Sequence, residues 1–178
     1  MRVLVLYETR RGSTLTVARA IRDVIRARGH AATAAPIRTV DAGTLAAADA
    51  LVVGTWTQGL LLFRVGPAAG ALEGIAALPP LAGRPVAVFC TCDVSPRGTL
   101  DILTSRLQRK GARVLVAHAF RRRKGRARIP AYADLVVAEF ERALGSVPAS
   151  TGTAPALGTV PATGTAPATG TAPAPTGV

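Results

Sequence analysis

Residues 2–14 read RVLVLYETRRGST and pass from one structural pattern to another within thirteen positions. The apolar, β-branched run 2–7 predicts a short buried strand. Residues 8–14 contain a glycine and predict a loop, after which the apolar positions recur at helical spacing until Gly29. This stretch therefore predicts a strand, a loop and a helix, the first unit of an α/β fold.

The same alternation continues along the chain. The pattern predicts further strands and helices, the strands at residues 34–40, 50–54, 86–91 and 113–120 and the helices at 67–77, 98–110 and from Pro130. Most of these strands are nearly continuous apolar runs, as is typical of a parallel sheet that helices cover on both faces. We therefore predict a doubly wound α/β fold with five parallel strands.

Composition divides the chain into two parts. Residues 147–178 have no charged and no aromatic residue, and they repeat a hexapeptide of the type TGTAPA. Thr, Gly, Ala and Pro offer too little apolar bulk to offset the entropy of ordering. We predict one α/β domain in residues 1–146 and a disordered tail in residues 147–178.

Several classes of protein are not favoured by this sequence. No stretch approaches the roughly 20 apolar residues of a membrane span, and the N-terminus lacks the pattern of an export signal. Cys90 and Cys92 have no second Cys pair or nearby His to complete a metal site. We expect a cytoplasmic protein with two reduced, buried thiols and no metal.

Polar residues follow three of the predicted strands, at 8–14, 54–59 and 90–96. In doubly wound sheets, ligands bind beyond the carboxyl ends of the strands. The first loop precedes a helix N-terminus, whose N–H groups favour an anion. An ordinary loop with Ser13 or Thr14 as the helix N-cap is the simpler alternative, and Trp56 has two interpretations, stacking on a planar ligand or folding back over residues 60–63.

These three loops resemble those of the flavodoxin family. Residues 9–14, Thr-Arg-Arg-Gly-Ser-Thr, are similar to the family's phosphate loop, Thr55-Trp56 stands in the place of its second loop, and residues 90–93 stand in the place of its third. The resemblance implies the strand order 2-1-3-4-5 and FMN bound at the switch between the first and third strands. The third loop carries Val94, Ser95 and Pro96 where family members commonly have a Tyr against the flavin.

The resemblance assigns residues to the cofactor and none to acid, base or nucleophilic catalysis. The first loop would hold the phosphate, Trp56 would cover one face of the ring, and the remaining residues would line the ring or ribityl edge. The full set is Thr9, Arg10, Arg11, Gly12, Ser13, Thr14, Thr55, Trp56, Thr57, Gln58, Gly59, Thr91, Cys92 and Asp93.

The domain is strongly basic, with 22 Lys and Arg against 10 Asp and Glu in the whole chain. Residues 121–128 hold six of the basic residues directly after the last predicted strand, and Arg10, Arg11, Arg64 and Arg97 follow other strands. We predict a basic rim that docks an acidic redox partner, a reductase or a ferredoxin-type protein; a merely solvated loop is the alternative. The run has no aromatic residue for base stacking, so we do not expect nucleic acid to bind.

We therefore expect an FMN-binding, flavodoxin-like protein that carries electrons between redox partners. One alternative is an FMN-dependent oxidoreductase on the same fold, of the protoporphyrinogen oxidase or quinone reductase type. Another is a binding module that has lost FMN. An electron carrier is the preferred interpretation over an enzyme with its own substrate.

Overall fold

The computed structural model describes residues 1–60, 63–96, 98–121 and 125–145, and the side chains of residues 59, 60, 63 and 64 are left out of the description. The described strands are β1 (Arg2–Tyr7), β2 (Ala31–Pro36), β3 (Ala50–Leu60), β4 (Phe63–Pro67), β5 (Pro85–Cys92) and β6 (Arg113–Arg121). The described helices are α1 (Ser13–Ala27), α2 (Ala42–Ala47), α3 (Ala69–Ala77), α4 (Thr99–Arg109) and α5 (Ile129–Gly145), with a short 3-10 turn at Arg126–Arg128.

Five strands form a parallel sheet in the order β2-β1-β3-β5-β6. Because β5 and β6 are the fourth and fifth parallel strands along the chain, this is the predicted order 2-1-3-4-5. The prediction of a doubly wound parallel sheet is confirmed. A sixth strand, β4, was not predicted; it pairs with β3 in antiparallel orientation and lies off the main path of the sheet.

The hairpin of β3 and β4 corrects the predicted end of the third strand. We expected this strand to stop at residue 54 and residues 55–59 to form a loop, but β3 continues to Leu60. Its last residues leave the parallel sheet and pair with β4, Thr57 with Pro67 and Gln58 with Gly66. The antiparallel partner supplies the backbone hydrogen bonds that β1 and β5 no longer reach.

Two other boundaries differ from the prediction. The second strand lies at Ala31–Pro36 rather than at residues 34–40, and the short helix α2 was missed. The strand consists mostly of alanine, which gives little periodic signal. Asp41 begins α2 as its N-cap, since its carboxylate accepts a hydrogen bond from the Thr44 N–H at 2.7 Å.

Each apolar strand contributes to two cores, because successive side chains point to opposite faces of the sheet. In β1, Val3 and Val5 pack in the cluster that includes α1 and α5, whereas Leu4 and Leu6 pack in the cluster that includes α3 and α4. This division explains why the strands read as continuous apolar runs rather than as alternating ones.

The chain separates into two units, Met1–Pro148 and Ala149–Val178. The second unit lies outside the described residues, and so does the predicted tail at 147–178, which stays a prediction. Among the helices that the structure describes, none has the length and hydropathy that crossing a membrane requires.

Gly54 lies where β3 passes the largest side chain of the neighbouring strand. It pairs with Phe89 in the β3–β5 register, and a Cβ atom at position 54 would stand 2.0 Å from the Phe89 ring. Phe89 cannot move aside easily, because it is fully buried and its ring contacts those of Phe120 and Tyr132 edge to face. The absence of a side chain at position 54 thus allows the aromatic core to form.

Replacing Gly54 by alanine should therefore destabilise the domain by about 1–3 kcal/mol, the usual range for overpacking a core. Thermal and urea unfolding of the G54A variant measure this effect. Gly145→Ala is the matched control, since a Cβ there meets no atom within 4 Å. Equal stabilities of G54A and G145A would contradict the packing argument.

Candidate functional site

The first loop joins β1 to α1 and turns on a single glycine. Gly12 is the N-cap of α1 with φ 80° and ψ −10°, a left-handed conformation that glycine adopts without strain. The alternative of Ser13 or Thr14 as the N-cap is therefore wrong. The Gly12 N–H donates to the Thr9 hydroxyl oxygen at 3.1 Å, and this bond closes the loop on itself.

Apart from Gly12, several backbone N–H groups in and next to this loop have no acceptor among the described residues. Within the described part of the chain, the N–H groups of Arg10, Arg11, Ser13 and Thr14 donate no hydrogen bond, and no side chain caps α1. Several free N–H groups in one loop, at the positive end of a helix dipole, form a site for an anion. The phosphate-binding role of residues 9–14 stays a prediction.

Thr14 makes a contact that the sequence did not reveal. Its hydroxyl lies 3.0 Å from the hydroxyl of Thr91, and both residues are fully or almost fully buried. Thr14 opens α1 and Thr91 lies near the end of β5, so this hydrogen bond ties the first loop to the third. The Thr14 hydroxyl is thereby engaged with the protein, so the donors without an acceptor at this end of α1 are backbone N–H groups.

The residues predicted for the second loop lie within β3. Thr55 is buried, with its hydroxyl donating to the Trp56 carbonyl oxygen at 3.3 Å, and Trp56 pairs with Thr91 of β5. Thr57 and Gln58 pair with β4, and Gly59 follows them in the strand. The hairpin thus holds Trp56 at the edge of the sheet where β1, β3 and β5 end.

Trp56 is half-buried, and the guanidinium of Arg10 lies over its ring, 5.9 Å from the centroid. This distance is within the range of a cation–π interaction. The alternative interpretation, in which Trp56 folds back over residues 60–63, lies outside the described residues. The structure describes neither residues 61 and 62 nor the side chains of residues 60 and 63. The contact with Arg10 brings Trp56 together with the first loop.

The third loop begins with buried residues and becomes exposed. Thr91 and Cys92 are buried at the end of β5, whereas Asp93 is exposed and 71% of the Val94 side chain is accessible. Cys90 and Cys92 form no disulfide. A hydrogen bond with the Cys92 thiol, and secondly burial, raises the pKa of Cys90, so this thiol stays protonated at neutral pH.

Arginines surround this end of the sheet. Arg10 and Arg11 stand in the first loop, Arg121 is the last residue of β6, and Arg126 and Arg128 lie in the 3-10 turn that follows. None of these five forms an ion pair among the described residues, whereas Arg2, Arg22 and Arg28 pair with carboxylates at 2.7–3.4 Å. We call these five residues, Arg10, Arg11, Arg121, Arg126 and Arg128, the arginine edge.

The remaining members of the predicted basic rim are the Arg64 side chain, Arg97 and residues 122–124, and they lie outside the described residues. Glu8, the first residue after β1, lies against α3, since a Cβ on Gly70 would stand 3.1 Å from its carboxylate. No cluster of three or more His, Cys, Asp or Glu suited to a metal ion occurs among the residues that are described.

No family model matches the chain, and no curated protein does. Solved structures match it well. The two-electron reduced flavodoxin of Megasphaera elsdenii aligns with a TM-score of 0.66 at 19% identity, over 77% of this chain and 98% of that chain. Flavodoxin 1 of Bacillus cereus aligns with a TM-score of 0.63 at 23% identity, over 80% of this chain and 98% of that one.

A longer protein contains a similar domain. Rubredoxin oxygen:oxidoreductase of Desulfovibrio gigas aligns with a TM-score of 0.67 at 15% identity, over 82% of this chain but only 37% of its own. The flavodoxin-like fold expected from the three loops is confirmed by these structures.

The bond between Thr14 and Thr91 generates a double-mutant prediction. Thr14→Val should destabilise the domain by about 1–3 kcal/mol, because it leaves a buried Thr91 hydroxyl without a partner. Adding Thr91→Val removes that second hydroxyl and should restore part of the loss. Urea unfolding of both single variants and the double variant measures the coupling, and additive losses would show that the two hydroxyls do not interact.

Proposed function

We propose that this protein binds FMN at the edge formed by β1, β3 and β5 and transfers electrons between redox partners. The observation that carries the proposal is the first loop, in which the N–H groups of Arg10, Arg11, Ser13 and Thr14 have no acceptor among the described residues and lie in or next to the first turn of α1. A phosphate group fits such a loop, because it accepts several N–H bonds and is stabilised by the helix dipole. The Megasphaera elsdenii flavodoxin, a two-electron reduced protein, shares this fold.

The ring of the flavin would lie beside Trp56. The indole is half-buried, it lies next to Thr91 in the β3–β5 register, and a cation already rests on its face. A planar, conjugated ring stacks on an indole in the same manner. In the proposed complex the Arg10 side chain moves off the indole or stacks outside the flavin.

The third loop would form the second wall of the flavin site, opposite Trp56, and its side chains differ in kind from the indole. It presents Val94, an exposed aliphatic side chain, and it has no aromatic residue among its described positions. One face of the ring would therefore contact Trp56 and the other would be open to solvent or to a docking partner. FMN supplies the one- and two-electron chemistry when bound, and the residues of this chain position it and set the electrostatic field.

The FMN proposal is tested with two arginine variants. Arg11→Asp should weaken FMN binding about tenfold or more, because it replaces a cation of the first loop by an anion near a dianionic phosphate. Arg19 is the matched control: it is exposed on α1 and makes no ion pair in the described structure. Arg19→Asp should leave the dissociation constant within about twofold.

Titration of the purified chain with FMN, followed by quenching of flavin fluorescence, gives both dissociation constants. Equal affinities of the two variants for FMN would contradict the assignment of the phosphate to the first loop. If the unmodified chain neither quenches FMN nor shows a flavin absorption band, the chain is a binding module without the cofactor.

We further propose that an acidic redox protein docks on the arginine edge. The five arginines have no carboxylate partner among the described residues, so their field is not neutralised within the domain. They flank the end of the sheet where electrons would enter or leave the flavin. Opposite charge on a partner speeds association through long-range attraction.

The association rate with an acidic ferredoxin should fall steeply as salt is added, because salt screens the attraction. Replacing Arg121 and Arg126 by serine should lower that rate several-fold at low ionic strength. Replacing Arg109 and Arg113, two exposed arginines at the opposite edge of the domain, changes the net charge equally and should have a smaller effect. Stopped-flow electron transfer measures both, and a salt-independent rate would contradict the proposed docking.

A further inference from the structure

A cavity of about 470 Å³ opens beyond the ends of β5 and β6. The residues that line it are Cys92, Pro96, Ala119, Arg121, Gly125 and Arg128. Volumes of this size are typical of small-molecule sites. A flat docking surface for a protein requires no such concavity.

The cavity lies next to the proposed flavin site without coinciding with it. Of the fourteen residues that the sequence assigned to the cofactor, only Cys92 lines it. Cys92 pairs with Arg121 in the β5–β6 register, one strand away from Trp56, which pairs on the β3 side of β5. A molecule in the cavity would therefore be a neighbour of the flavin.

Two arginines from different elements line the cavity. Arg121 ends β6, Arg128 ends the 3-10 turn, and neither forms an ion pair within the described part of the chain. Arg121 also lines a second cavity of about 100 Å³, together with Arg126, Ser13 and Thr91. Three arginines thus converge on two adjoining cavities.

The floor of the larger cavity is less polar than its rim. Cys92 is buried and Ala119 contributes only a methyl group. The charge of Arg128 also reaches the neighbouring strand, since burial and, secondly, the Arg128 guanidinium hold the pKa of His118 below its usual value. The cavity combines an apolar floor with a positively charged rim.

We propose that this cavity binds a small organic anion, with its carboxylate or phosphate groups between Arg121 and Arg128 and its carbon body against Cys92 and Ala119. Guanidinium groups suit such ligands because they donate paired hydrogen bonds to planar or tetrahedral oxyanions. This inference does not depend on the proposed electron transfer, because its residues are almost entirely separate from those assigned to FMN.

Citrate and pyrophosphate are the probes, one a carboxylate and one a phosphate ligand. Isothermal titration calorimetry of the full chain, with and without saturating FMN, measures their binding against sodium chloride at equal ionic strength. We expect saturable binding of at least one probe in both conditions. Arg121→Gln and Arg128→Gln should each weaken it about tenfold.

Two further variants separate the cavity from general surface charge. Arg113→Gln removes one charge from the opposite end of β6 and should leave the affinity unchanged. Ala119→Leu keeps every charge but places a larger apolar side chain in the lining of the cavity, and it should weaken binding while the thermal midpoint shows that the domain remains folded.

The proposal is overturned if neither probe binds beyond the chloride control, if Arg113→Gln weakens binding as much as Arg121→Gln, or if Ala119→Leu has no effect. Competition between citrate and FMN would place the flavin itself in the cavity and would also overturn it. Binding of citrate by a chain that does not bind FMN supports the cavity and refutes the proposed electron carrier, so the two failures are distinguishable.

Discussion

The parallel pairing of five strands is the constraint on which the rest of this structure depends. Parallel neighbours require a crossover between them, so the five parallel strands all end at the same edge of the sheet. Loops that are far apart in sequence therefore meet there. The hydrogen bond between Thr14 and Thr91, which joins residues 77 positions apart, is a direct result. The first loop, Trp56 and the arginine edge lie together for the same reason.

A small aromatic cluster orients the other half of this edge. Phe120 of β6 contacts the rings of Phe89 and Tyr132 at 5.9 and 5.3 Å, and the Tyr132 hydroxyl donates to the Val88 carbonyl oxygen at 3.0 Å. These contacts fix α5 against β5 and β6. Since Arg121, directly after Phe120, belongs to the last strand, the core packing sets where the arginine edge begins.

Charge is distributed unevenly over the domain. Arg28 at the end of α1 pairs with Asp134 of α5 at 2.8 Å, and Arg22 of α1 pairs with Asp23 at 2.7 Å, so charges in this part of the domain are locally balanced. The arginine edge has no such balance among the described residues. An uncompensated positive field at the end of the sheet attracts anions of every size. In the functions proposed above, these anions are the phosphate of FMN, a small organic ligand and an acidic protein, and the shapes of the loop and the cavity would distinguish them.

The sequence by itself determined the fold class, the strand order through the resemblance of its loops, and most of the first loop. Its apolar runs and helical periods are local patterns. Such patterns suffice to predict strands that are buried on both faces and the helices that cover them. Sequence periodicity also located α1 and α4 to within about two residues.

The tertiary structure decided the features that depend on distant partners. The β3 residues after position 54 resemble a loop in sequence, but Thr55 and Trp56 still pair with β5, and from Thr57 onward the antiparallel partner β4 continues the strand. Gly12 rather than Ser13 is the N-cap of α1, because the turn requires a left-handed backbone conformation at that position. The bond from Thr14 to Thr91 and the cavity between Cys92 and Arg128 exist because the parallel sheet brings separate strand ends together, and no local pattern encodes which side chains will then meet.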